Sequence, residues 1–245
     1  MILKFVKFNL KISKLLDRKF KKFFIGSNHP QSDLLNLILN KIPNSGKDFS
    51  ILEIGGIDRP MLKKSPNFKY TGLDIEYKDS CYKLYDNFIV QSIEENINQK
   101  FDLIISSTLL EHVKDNKKSF LNVYNALVDG GNTFHYIPSK NHFYSLILRL
   151  VGPKLQRKII KNLRPQASLE ITGYPTFFDL CSEKELKNVL LKIGFRDVKI
   201  RQYYKAGDYF AFFTPLYILI SALENIFEKF NIRFFAAGLI VSAKK

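Results

Sequence analysis

The sequence predicts an α/β fold built on a doubly wound, mostly parallel sheet, and three observations carry that prediction. First, Ile51, Leu52 and Ile54 form an apolar, partly β-branched run that ends at two adjacent glycines, Gly55 and Gly56. Such a run has the make-up of a buried parallel strand, and the glycines let the chain turn sharply and approach a ligand because no Cβ intervenes. Second, the segment YTGLDI ends another candidate strand on Asp74. Third, residues 101 to 113, FDLIISSTLLEHV, read as a strand from Phe101 to Ile105, a polar turn, and a helix with Glu111 and His112 near its start. In open α/β sheets ligands sit beyond the carboxyl ends of the strands, where all three segments turn.

The other elements follow in chain order. Only Asp58 to Lys69 separate the glycine turn from the next strand, and Pro60 comes almost at once, so the first helix must be short or irregular. LVDGGNTFHYIP gives a helix end, a turn at Gly130 and Gly131, and a strand from Thr133 to Ile137. Ser182 has the position of an N-cap, with Glu185 at the capping-box site and Gly194 as the stop, and Leu186, Val189, Leu190 and Ile193 supply the apolar stripe between them. DVKIRQYY reads as a sixth strand and AAGLIVSAKK as the closing one. Between them, residues 209 to 227 form an apolar helix. Its uncharged run from Tyr209 to Leu223 falls short of the roughly 18 to 20 residues that span a bilayer, and Pro215 interrupts it. We read it as interfacial or pocket-capping, with burial in the core as the alternative.

An acid at the end of a second strand can accept hydrogen bonds from both hydroxyls of a ribose, so Asp74 implies a cofactor that contains adenosine. The glycine turn, Asp74, the strand followed by LEHV and the L-x-x-GG turn stand in one order. On these four motifs the chain resembles the class I S-adenosylmethionine-dependent methyltransferases, in their small-molecule branch, over roughly residues 48 to 200. The resemblance implies a Rossmann-like, seven-stranded sheet whose last strand runs antiparallel. It assigns the methionine end of S-adenosyl-L-methionine to Glu53, Gly55 and Gly56, the ribose to Asp74, and the adenine to Ile75. Ser92 and Ile93, with Glu94, are the candidates for the adenine amino group, and the backbone carbonyl of Ser106 for the amino group of the cofactor. Ile57 occupies the usual third position of the glycine loop.

Methyl transfer from a sulfonium mostly asks the protein to align the nucleophile and take up its proton. The available imidazoles beyond the fourth and fifth strands are His112, His135 and His142, and a near-neutral pKa suits each to act as the base. Each has a plainer reading: His112 orienting a loop, His135 as a satisfied strand residue, His142 as a surface group. Glu111 and His112 also resemble the metal-binding edge of some quinone-pathway O-methyltransferases. Those carry a further acid where this chain has Thr108, so no metal is assigned.

The net charge of +15 points to an anionic partner, although Lys, Asn, Ile and Phe are all abundant and part of the charge is compositional. Position is more telling. Lys4, Lys7, Lys11, Lys14, Arg18 and Lys22 recur at steps of three and four, while Ile2, Phe5, Val6, Leu16, Phe20 and Phe24 fill the remainder. Residues 1 to 25 therefore read as a basic amphipathic helix suited to an anionic membrane surface, the alternative being a cover helix with solvated lysines. Lysines interrupt any apolar core and no small-residue cleavage site follows, so no cleaved signal is expected. The resemblance implies a methyltransferase domain over residues 26 to 245, with an insertion at about 139 to 180 read as a substrate cap. Its Lys154, Arg157, Lys158, Lys161 and Arg164 would meet phosphate or a lipid head group. Cys81 and Cys181, without metal-ligand spacing, suggest a reducing compartment. The expected location is cytoplasmic, peripheral to the inner membrane face.

Competing readings are weaker. Tyr136 and Lys140 have the spacing of a short-chain dehydrogenase pair, but Pro138 lies between them, and the first loop lacks G-x-G-x-x-G. SSTLLEH lacks the proline-aromatic or proline-cysteine signatures of nucleic-acid methyltransferases. A non-catalytic cofactor-binding protein is suggested by Ile57 and the short first helix. The reading reached is a methyltransferase acting on an amphipathic or lipid-linked small molecule, a glycan intermediate or a quinone-like acceptor.

Overall fold

Strands β1 (Ser50–Ile54), β2 (Lys69–Asp74), β3 (Asn87–Val90), β4 (Phe101–Ser107), β5 (Leu127–Pro138), β6 (Arg196–Tyr203) and β7 (Gly238–Lys244) form one sheet in the order β3-β2-β1-β4-β5-β7-β6. The β1, β2, β3, β4 and β5 pairings are parallel, and β7 runs antiparallel, as expected. The helices are α1 (Ile2–Lys19), α2 (Lys21–Phe24), α3 (Pro30–Leu39), α4 (Cys81–Leu84), α5 (Asn116–Ala126), α6 (Phe143–Leu163), α7 (Glu183–Ile193) and α8 (Thr214–Lys229). The computed structural model describes residues 2–27, 29–44, 48–163 and 174–245, with the backbone alone for residues 2, 153, 154 and 156–163. The cations proposed for the substrate cap, Lys154, Arg157, Lys158, Lys161 and Arg164, lie outside the described side chains. The chain divides into two compact units, one of residues 30–138, 178–201 and 239–245, the other of residues 1–29, 139–177 and 202–238.

In the first unit, Ile51, Leu52 and Ile54 on β1 are buried, because a central parallel strand is covered on both faces. No helix joins β1 to β2. Aromatic packing occupies that crossover instead: the Tyr70 ring lies 5.9 Å from Phe68 and 4.9 Å from Tyr85, with Leu62 also buried. The segment after β4 departs from the expectation. Leu110 to His112 make a single 3-10 turn, Val113 is extended, and α5 begins only at Asn116. Asp115 explains the delay, since its carboxylate accepts the Lys118 N–H at 2.9 Å and so caps the helix there. β5 already begins at Leu127 and runs through the Gly130–Gly131 pair, with a register shift opposite Phe101 and Leu103. The cap of α7 also differs, as the Ser182 hydroxyl donates to the Glu185 carboxylate and makes no bond to the helix backbone. Gly194 ends that helix at φ 116°.

In the second unit, α1 docks through the buried face that carries Val6, Asn9 and Ser13. Asn9 Oδ1 accepts the Thr214 N–H at 2.9 Å, Ser13 Oγ donates to the Ala211 carbonyl at 3.1 Å, and the Tyr217 hydroxyl donates to Asp17. Phe24, on α2, stacks on Tyr217 at 4.8 Å. Pro215 does not interrupt the apolar segment but sits in the first turn of α8, where a missing N–H costs nothing. No helix among the described residues is long and apolar enough to cross a membrane.

Candidate functional site

Register brings the carboxyl ends of the central strands level. Ile54 pairs with Leu73 on one side and with Ser106 on the other, Asp74 pairs with Val90, and Ser106 pairs with His135. The turn after β1, the acid after β2 and the turn after β4 therefore leave the sheet along one edge. Gly55 takes φ 89°, and a Cβ there would lie 3.1 Å from the Leu109 side chain, so the turn after β4 rests directly against the glycine turn. A Cβ on Gly56 would stand 2.2 Å from the Tyr85 hydroxyl and 2.6 Å from Glu53 Oε1, a space only glycine fits.

Asp74 is half-buried at this edge. One of its oxygens accepts the Glu76 N–H at 3.0 Å, and burial raises its pKa against the pull of that bond and of the Ile75 N–H. Ile75 beside it is 64% exposed, an apolar platform next to a carboxylate. Ser92 and Ile93 follow β3: Ser92 Oγ accepts the Glu94 N–H at 3.1 Å, and the buried Ile93 offers its carbonyl to Asn122 at 2.9 Å. The half-buried acid and the exposed isoleucine, beside the glycine turn, suit an adenosine cofactor.

Of the residues assigned to the cofactor, Glu53 faces inward, and Ser106 was assigned through its backbone carbonyl and not its side chain. Glu53 is 2% exposed, and its carboxylate accepts the Met61 N–H at 3.1 and 3.0 Å and the Tyr70 hydroxyl. It ties the loop after the glycines to the sheet, and burial pushes its pKa up to about 8. The Ser106 side chain is fully buried and lies 2.7 Å from Nδ1 of His135.

The three histidines separate sharply. His135 is fully buried with both ring nitrogens engaged, and burial pushes its pKa down to about 3, so it is not available as a base near neutral pH. His142, expected at the surface in its plainer reading, is fully buried with Nε2 3.2 Å from Glu224 Oε1. It belongs to the second unit, not to the unit that holds the glycine turn. His112 alone of the three keeps access to solvent, with 30% of its side chain exposed and Nε2 3.7 Å from Glu111 Oε1. Glu111 is buried, its Oε2 has no hydrogen-bond partner among the described residues, and burial pushes its pKa up to about 8.

Sequence reasoning missed Tyr85 and Leu109. The Tyr85 hydroxyl reaches the glycine turn by crossing over Gly72 and is buried without a hydrogen-bond partner among the described residues. Nothing in the local pattern of a tyrosine before a short strand signals that reach. Leu109 had a better signal, since LL before EH gives two apolar residues where only one, Leu110, enters the core completely.

A family model described as a methyltransferase domain matches residues 16–200, and the chain belongs to that family. The class defined by fold and family is that of the S-adenosylmethionine-dependent methyltransferases. Over 115 residues the chain is 34% identical to malonyl-[acyl-carrier protein] O-methyltransferase 1 of Ilyobacter polytropus, covering 42% of this chain and 43% of that protein. The fold is similar to that of Haemonchus contortus phosphoethanolamine N-methyltransferase 2 in complex with S-adenosyl-L-methionine, with a TM-score of 0.54 and 13% identity, covering 87% of this chain and 52% of that one. It is also similar to an S-adenosylmethionine-dependent methyltransferase from Mesorhizobium loti, with a TM-score of 0.53 and 16% identity, covering 87% of this chain and 96% of that one. At these identities the structural likeness is one of fold. The chain spans about half or less of the length of the first two relatives.

Proposed function

We propose that this chain transfers the methyl group of S-adenosylmethionine to an amphipathic or lipid-linked small molecule, such as a glycan intermediate or a quinone-like acceptor, at a membrane surface. The observation that carries the reading is the shared edge at which the Gly55–Gly56 turn, Asp74 with Ile75, and the turn after Ser106 leave the sheet. Bound there, the cofactor supplies a methyl group on a sulfonium, already a good leaving group. Gly55 and Gly56 admit its methionine end, the Asp74 carboxylate accepts from the ribose hydroxyls, and Ile75 packs on the adenine. Ser92, Ile93 and the Ser106 carbonyl complete the cofactor contacts. Glu53 contributes indirectly, by fixing the loop through Met61.

His112 is the base this reading selects, because it is the imidazole that combines solvent access with a place on the turn resting against Gly55. It takes the proton released by the acceptor as the methyl group is transferred. The membrane part of the reading is supported by the exposed cations of α1, Lys4, Lys7, Lys11, Lys14 and Arg18.

The test is production of S-adenosylhomocysteine with bilayer-presented acceptors, hydroxyl-bearing ones first because the partial relative is an O-methyltransferase. His112→Asn should lower turnover with little change in cofactor affinity and change the pH profile of the rate. Unchanged turnover and pH profile would leave positioning alone as the mechanism. A second reading, a cofactor-binding protein without turnover, is favoured by Ile57 at φ 43° in the loop. Tight binding with no S-adenosylhomocysteine from any acceptor would select it.

A further inference from the structure

We infer that the outward faces of α1 and α8 form one surface that docks on an anionic lipid bilayer, with α8 lying in the interface beside α1. The inference deepens the membrane part of the proposed function by naming the partner and the contacting residues, but the binding it describes does not require methyl transfer.

α1 has three faces, not two. Val6, Asn9 and Ser13 are buried in the packing against the segment that begins α8. Lys4, Lys7, Lys11, Lys14 and Arg18 are all exposed and, at steps of three and four, share a second face. Phe5, Phe8 and Leu15 are 51%, 64% and 55% exposed, and with Ile12 they make a third, apolar face that the packing leaves largely open. A helix that served only as a cover would need the first face alone.

α8 repeats the pattern. Tyr217, Ile220, Ser221, Glu224 and Phe227 point inward and are buried. The outward positions Pro215, Ile218, Leu219, Ala222 and Ile226 follow helical spacing and are all apolar, with Ile218, Leu219 and Ile226 more than two-fifths exposed. From Thr214 to Leu223 that face carries no charge at all. The two apolar faces join where Phe5 on α1 meets Phe213 at the start of α8, their ring centroids 6.2 Å apart and both rings exposed.

Charge decides what covers this surface. The only acid on α1, Asp17, is engaged by the Tyr217 hydroxyl, and no ion pair among the described residues reaches Lys4, Lys7, Lys11 or Lys14. An apolar strip bordered by uncompensated cations matches anionic head groups over acyl chains. Large apolar side chains exposed on both helices, next to cations, have the form of interfacial helices that lie in the plane of a membrane without crossing it. A second copy of the chain would bring one cationic stripe against another, which opposes self-association through this face.

The test uses the full chain with vesicles of phosphatidylglycerol and phosphatidylcholine, compared with phosphatidylcholine alone. The wild type should co-sediment with the anionic vesicles and lose that preference as salt is added. The double variant Ile218→Glu with Leu219→Glu should bind anionic vesicles about ten-fold or more weaker even at low salt, since two carboxylates are then pressed against the interface. Lys7→Glu with Lys11→Glu should abolish the preference for anionic over neutral vesicles. Both variants must retain wild-type affinity for S-adenosylmethionine, which shows that they fold. Equal vesicle binding by wild type and the α8 variant overturns the inference, as does a wild-type dimer that the α8 variant converts to monomer without change in vesicle binding. Vesicle binding with no methyl transfer would overturn the enzymatic reading and leave this one standing. Methyl transfer without vesicle binding would do the reverse.

Discussion

The Ser106 hydroxyl lies 2.7 Å from Nδ1 of His135, and this contact fixes the state of the imidazole between β4 and β5. Thr133 Oγ1 donates its only hydrogen to the Ile104 carbonyl at 2.9 Å, so at 2.6 Å from Nε2 it must accept. Nε2 therefore carries the ring proton, and Nδ1 accepts from Ser106. The ring is neutral and fully buried, consistent with a pKa pushed down to about 3 by desolvation.

This arrangement predicts an acid limb in stability. An unfolded histidine takes up its proton below about pH 6.5, while the folded one waits until about pH 3, so between these values the unfolded state binds more protons and stability is lost as the pH is lowered. His135→Phe should remove that contribution. It should also cost about 1 to 3 kcal/mol at neutral pH, because the Ser106 and Thr133 hydroxyls lose their partner. Urea unfolding at pH 7 and pH 5 reads both effects, and an unchanged difference between the two pH values would refute the assignment.

Glu111 has the opposite slope. Its carboxyl is held protonated up to about pH 8 by burial, against an ordinary value of 4.5, so the folded state binds the extra proton in that window. The stability it contributes is present below pH 4.5 and is lost as pH rises through 8. Glu111→Gln should match wild type near pH 5 and exceed it by roughly 4 kcal/mol near pH 9. Parallel stability curves for the two proteins would show that Glu111 is ionised in the fold.

Ile57 is a β-branched residue at φ 43°, where such side chains are strained. Relief of that strain outweighs the extra freedom glycine gains in the unfolded chain, so Ile57→Gly should stabilise the protein by about 0.5 to 1 kcal/mol. Thermal and urea denaturation test the sign. A loss of more than about 1 kcal/mol would mean that Ile57 packing is worth more than its backbone strain.

Asp74 is the residue on which cofactor affinity should depend most. Asp74→Ala removes two charge-assisted acceptors and should weaken S-adenosylmethionine binding by roughly 2 to 4 kcal/mol without unfolding the protein. Isothermal calorimetry decides it, and equal affinity in the variant would remove the ribose role.

The chain order of Ile51 to Gly56, Asp74 and the strand before LEHV determined the sheet and its ligand edge, because a parallel strand buried on both faces leaves a continuous apolar run and its exit is marked by the residues that turn the chain. That the first helix could be at most short or irregular was likewise determined by distance, since too few residues separate Gly56 from Lys69 and Pro60 lies among them, but that no helix forms there was seen only in the structure. What each polar side chain does was decided only by tertiary contacts. Glu53 reads as a ligand-facing acid until Met61 and Tyr70 are seen to claim it, and His135 reads as a base until Ser106, Thr133 and burial hold it neutral. The second apolar face of α1 was equally hidden, because periodicity places residues on faces but does not say which face the rest of the protein covers. Burial and hydrogen-bond partners are set by residues distant in sequence, and those are what fix a pKa or leave a surface open.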